Sequence, residues 1–154
     1  MTTPNSISTS FGFALKAFAA GFIAVIVAHQ GLIAALNAGG LIPPGMTPWS
    51  FDPVPPFGVP SLISKAFWGG AWGIVIAAVL AGRRGAAYWF GWTVLGAVAL
   101  SLVALLVVPA LKGLPPPDFM ARFPIAALIN GTWGLGTAVL LSLMRGGSGQ
   151  SRTA

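Results

Sequence analysis

Few side chains in this sequence could do chemistry, and their positions narrow the choice. The chain has one histidine, two acidic residues and no cysteine. His29 and Gln30 are adjacent inside a long apolar run. About nine residues separate them from its end, so in a helix they would lie roughly 13 Å below that end. Asn130 lies about six residues, or roughly 9 Å, inside another apolar run. Trp72 and Trp133 fall in the same half of their own runs. Side by side, His29, Gln30, Trp72, Asn130 and Trp133 would form one polar layer. It would hold an imidazole, two amides and two indole donors. Polar groups at such depth in lipid mark a ligand or ion path, or a hydrogen bond that ties helices together.

Each sharper chemistry asks for more than the sequence offers. Imidazole can ligate haem or metal. A single histidine cannot supply both axial ligands unless two chains share the group, and Met46, Met120 and Met144 all lie near the ends of apolar runs. Proton-coupled transport usually keeps a carboxylate in the membrane. Here Asp52 and Asp118 both fall in proline-rich connections. A nucleophile needs a base and an orienting group. Ser101 and Ser142 sit in apolar runs, where a hydroxyl normally bonds the carbonyl at i−4. The expectation is no enzyme, no metal and no cofactor. His29–Gln30 then reads as an interhelical hydrogen bond, contributing roughly 0.6 kcal/mol.

The elements that must position these residues are transmembrane helices. Apolar residues make up 56% of the chain and charged ones 6%, too few charges to coat a soluble domain. A bilayer core of about 30 Å needs about 20 helical residues. Four runs qualify, over residues 13–38, 62–82, 88–110 and 124–144. Their unbroken apolarity does not fit the alternation of a membrane β-barrel. The expected fold is all-α, an integral membrane four-helix bundle in one domain. Residues 1–10 and 146–154 read as polar, flexible termini. The first run is longer than the core of a signal peptide and reads as a retained anchor.

Charge sets the expected orientation. One side would carry Lys16, Arg83, Arg84, Arg145 and Arg152 with no acid. The other would carry Lys65, Lys112 and Arg122 with Asp52 and Asp118. The first side is therefore expected in the cytoplasm, with both termini, in a bacterial inner membrane. Eight scattered cations do not make a nucleic-acid groove.

Two features concern the connections and a repeat. Residues 42–61 hold seven of the thirteen prolines together with Trp49, Phe51 and Phe57, so this loop should fold onto the membrane or the helix ends. Aligning Trp72 with Trp133 matches eight identities across residues 63–85 and 124–146, including the Trp-Gly cores and Arg84-Gly85 with Arg145-Gly146. The chain thus reads as a tandem repeat of two transmembrane hairpins. On that reading, the second and fourth helices would share the interior. Gly69 and Gly73 are one turn apart, as are Ala17 and Gly21, and both pairs read as packing motifs within the bundle. The functional expectation is an accessory or structural membrane subunit, in contact with lipid and with other membrane subunits or copies of itself. The alternatives are a small oligomeric transporter or channel, and a haem- or quinone-binding redox subunit.

Overall fold

The computed structural model describes residues 4–42 and 46–146. Four helices are long and apolar enough to cross a membrane. Helix α1 covers residues 4–38, with a π-helical turn at Val25–His29 between α-helical Pro4–Ala24 and Gln30–Ala38. Helix α2 is Ser61–Val79. Helix α3 is Gly85–Leu111, interrupted by π turns at Gly96–Leu100 and Val103–Val107. Helix α4 is Phe119–Gly146.

Local chemistry moves several helix ends away from the hydropathy limits. Helix α4 starts at Phe119 rather than at Pro124 because Asp118 caps it. The Asp118 carboxylate accepts the Ala121 N–H at 3.1 Å and its carbonyl accepts the Arg122 N–H at 3.1 Å. Pro124 is thereby carried inside the helix, within its second turn. Helix α2 ends at Val79, before the expected residue 82. The Arg83 N–H folds back to Leu80 O at 3.0 Å, and Gly82 takes a positive φ of 79° that a side chain would resist. Arg84 is extended, so α3 starts at Gly85 rather than Tyr88. The helix through residues 4–10 continues α1 beyond its apolar run; residues 147–154 lie outside the described residues.

Packing follows small residues. Helix α1 packs along α2 on one side and α4 on the other, while α4 also packs along α3. Helices α2 and α3 share no extensive contact along their lengths, although Leu80 reaches Gly91 beside their connecting turn. The central pair is therefore α1 and α4, not α2 and α4. The reason is steric. Gly136 of α4 faces Ala24 and Ala28 of α1, which lets the two backbones approach closely. The two glycine-type motifs meet each other: a methyl group on Gly21 would strike the Gly69 carbonyl, and one on Gly73 would strike the Ala17 carbonyl. Between α3 and α4, a methyl group on Gly96 would strike the Asn130 carbonyl and one on Gly134 the Trp92 carbonyl.

Aromatic rings fill the space left between the glycine contacts. Trp92 and Trp133 are fully buried with ring centres 6.4 Å apart, and Tyr88 packs 6.4 Å from Trp92. Helix α3 is the most outward element, with only 11% of its most apolar window buried.

The loop after α1 ends in a small antiparallel hairpin. Pro53 pairs with Pro60 and Val54 with Val59. Such proline-bearing strands tolerate pairing only at an edge, which a two-stranded ribbon provides.

Candidate functional site

The strongest polar feature lies on α1 at its π turn. Gln30 is completely buried. Its Oε1 accepts the backbone N–H of Trp49 at 2.9 Å, and its Nε2 lies 3.3 Å from His29 Nδ1. Because a backbone N–H can only donate, the amide oxygen must face Trp49 and the NH₂ must face His29. His29 Nδ1 is then the acceptor, and the ring proton sits on Nε2. The Trp49 indole N–H completes the contact by donating to Ile26 O at 2.9 Å, within the same π turn. π turns recur where a helix must present backbone or side chains for a special contact.

Trp49 stands in the left-handed region with φ 49°, the one non-glycine residue to do so among those described. A bulky residue there costs of order 1–3 kcal/mol and persists only where its surroundings hold it. Its two hydrogen bonds to α1 are those surroundings. Ser50 and Asp52 brace the next residues: Ser50 Oγ donates to Asp52 Oδ2 at 2.7 Å and accepts the Asp52 N–H at 3.1 Å. The N–H groups of Ser61 and Leu62 bond the carbonyls of Asp52 and Ser50, each at 2.9 Å. The loop is stitched to both α1 and the start of α2.

The other expected members lie elsewhere in the hydrogen-bond pattern. Asn130 donates from Nδ2 to Ser101 Oγ at 3.0 Å, linking α4 to α3. Ser101 is fully buried and Asn130 half-buried, and the bond gives the buried hydroxyl a donor from the facing helix. Trp133 donates from Nε1 to Gly21 O at 2.9 Å, linking α4 to α1. Trp72 is half-buried and packs against the core cluster. No hydrogen bond joins His29–Gln30, Asn130 and Trp133 to one another among the described residues. Asn130 and Trp133 make separate interhelical ties, Gln30 with His29 beside it ties α1 to the loop, and Trp72 contributes packing.

Reading the sequence missed two partners. Trp49 was expected only as part of a loop that folds onto the membrane or the helix ends, and its backbone and indole N–H groups both bond α1. Ser101 was expected to bond back along its own helix and instead accepts from Asn130, whereas Ser142 does bond its own helix, to Val139 O at 2.7 Å. No local signal in the sequence marks either partner, because both bonds join residues from separate helices or loops. Among the described residues, no three His, Asp or Glu side chains come together. A small cleft of about 70 Å³ lies between α3 and α4, lined by Met46, Leu105, Arg122 and Ile125 among others. Comparison with protein-family models, curated proteins and solved structures found no match.

Proposed function

We propose that this chain is a non-enzymatic integral membrane protein acting as a structural or accessory subunit of a larger membrane assembly. One observation carries the reading. Most polar side chains at depth are spent on the chain's own ties, Gln30 with Trp49, Asn130 with Ser101 and Trp133 with Gly21, while the buried Trp92 indole N–H has no partner among the described residues. Groups already paired hold helices together and offer little to a solute or substrate. What remains is surface. Helix α3 exposes Val94, Val98, Leu102 and Leu106 at a spacing of four, a continuous stripe for a partner helix or lipid.

The architecture that goes with this role is a four-helix bundle of two tandem hairpins, α1–α2 and α3–α4. Its support is the matched set of close approaches. One shift carries Ala17 onto Trp92 and Gly21 onto Gly96. The shift that matches Trp72 with Trp133 carries Gly69 onto Asn130 and Gly73 onto Gly134. Both carbonyl contacts named for the first hairpin then have counterparts in the second. The cation bias favours both termini on the cytoplasmic side of a bacterial inner membrane.

A second reading, a small transporter or channel built from several copies, draws on the same duplication and on the amides of buried Gln30 and half-buried Asn130. Purification from native membranes in mild detergent, with mass spectrometry and an absorbance spectrum, separates the readings. A stoichiometric protein partner is the expected result. A colourless homo-oligomer would sink the accessory reading and send the work to solute flux in liposomes. A bound chromophore would favour a redox subunit instead.

A further inference from the structure

Helices α2 and α3 carry unmatched hydrogen-bond donors and acceptors. On α2, Trp68 and Trp72 lie one turn apart, and among the described residues neither indole N–H has an acceptor. Trp68 is 61% exposed and Trp72 half-buried. They lie about 10 and 16 Å along the helix from its start at Ser61, deeper than the headgroup level where a lipid-facing tryptophan finds partners. An indole N–H that faces hydrocarbon has nothing to bond.

Two other tryptophans show what such a donor takes. Trp133 and Trp49 both donate to carbonyls of α1, Gly21 O and Ile26 O. Ile26 O is free because the Gln30 N–H, at the end of the π turn, bonds Val25 O and Val27 O and passes over it. Helix α3 offers similar acceptors at its own π turns. At the second turn the Val108 N–H bonds Val103 O and not Ala104 O. The next residue, Pro109, has no N–H to give. Ala104 is exposed, and among the described residues no side chain donates to its carbonyl. At the first turn the Ser101 N–H bonds Val98 O and passes over Ala97 O. The heights match as well. Leu80 packs against Gly91 beside the turn between the helices. From there, Trp72 and Ala99 each lie about 12 Å along their helices, and Trp68 and Val103 about 18 Å.

We infer that a second copy of this chain docks on this side, with α2 of each copy against α3 of the other. A two-fold axis along the membrane normal keeps every height and forms both contacts at once. The Trp68 indole then donates to Ala104 O of the partner subunit, and the Trp72 indole to the partner's first π turn. Exposed Val75 and Val79 of α2 and Val98 and Leu102 of α3 supply the apolar surround. Such a dimer can stand alone or sit inside a larger assembly. A dimer carrying no other protein would sink the accessory role and leave this contact standing; a monomer bound to another protein would do the reverse.

The test uses the full chain in its own membranes. Val75→Cys and Val98→Cys, both exposed and within about 3 Å of one height, are placed on separately tagged copies and oxidised with copper phenanthroline. A mixed-tag disulfide dimer is expected, well above the product of either variant alone. Its absence would overturn the contact and leave the face to lipid or to another protein. So would a bridge formed only within the chain when both cysteines sit on one copy, since α3 would then close on its own α2. Dilution of fluorophore-labelled chains in one detergent gives the dissociation constant. Trp68→Phe should raise it about three-fold, the size of one hydrogen bond between membrane helices. Pro109→Ala removes no contact but returns an N–H able to reach Ala104 O, and should weaken the dimer to a similar degree. Unchanged affinity in both variants would sink the bonded contact. Ile74→Ala, about 160° round α2 from Trp72, should change nothing; a loss equal to that of Trp68→Phe would count against the assigned face.

Discussion

Trp49 shows how one residue can be both strained and structurally decisive. Its φ of 49° is unfavourable for a bulky side chain, and its two bonds to α1 are what hold it there. Replacing Trp49 with Phe keeps an aromatic ring but removes the donor to Ile26 O. Thermal unfolding in detergent should then show a loss of about 1 kcal/mol. Gln30→Leu should cost more, about 1–3 kcal/mol, since it leaves a Trp49 N–H without its acceptor in a partly buried setting. Both variants should also speed modification of His29 by diethyl pyrocarbonate, a reagent with one histidine to report on here. Unchanged reactivity would mean the loop does not shield that ring. For the second tie, a double-mutant cycle of Asn130→Ala with Ser101→Ala should return a coupling of about 0.6 kcal/mol, within the range measured for such bonds in membranes. The sequence marked His29, Gln30, Asn130 and Trp133 as polar groups in apolar surroundings, which burial alone makes conspicuous. It could not mark their partners. A backbone N–H at Trp49 and a serine hydroxyl in another helix carry no pattern until the chain is folded.

At the scale of the elements, small residues decide which helices touch. Gly21→Ala and Gly134→Ala should each cost about 1–3 kcal/mol by forcing apart backbones already in contact. Gly12→Ala is the matched control, because nothing lies within 4 Å of the added methyl group. It should leave stability unchanged or raise it by about 0.5–1 kcal/mol, as expected for glycine inside a helix. Chemical-denaturant titration in one detergent measures all three. If Gly21→Ala behaved like Gly12→Ala, the close approach of α1 and α2 would not be a source of stability. The four spans were legible because apolar length is set by the bilayer and not by tertiary context. Their ends were less so. Asp118 moved the start of α4 upstream of Pro124, and the turn at Leu80–Gly82 cut α2 short, both through hydrogen bonds that hydropathy does not record. The choice of α1 and α4 as the central pair was not visible either. It rests on Gly136 facing Ala24 and Ala28, in a chain where glycine and alanine are common everywhere.

For the molecule as a whole, four helices long and apolar enough to cross a membrane would put the start of α1 and the end of α4 on one side. The absence of cysteine makes this simple to check. Ala81→Cys and Leu114→Cys, in connections at opposite ends of the helices, should show opposite labelling by a membrane-impermeant maleimide in intact cells. Labelling of Leu114→Cys alone would agree with cytoplasmic termini; labelling of both would sink the four-span topology. The pairing of α1 with α4 has one more consequence, for biosynthesis. The bond from Trp133 to Gly21 joins residues 112 positions apart, and that from Lys16 to Met144 joins residues 128 apart. The first span therefore leaves the ribosome long before its second neighbour exists. It can settle against α2 early, but its other flank must wait in lipid until the last span is inserted. A nascent chain stalled before α4 carries that flank uncovered, together with the Gly21 carbonyl that Trp133 would have bonded. Such a chain is suited to recognition by the proteases and insertases that survey unfinished membrane proteins.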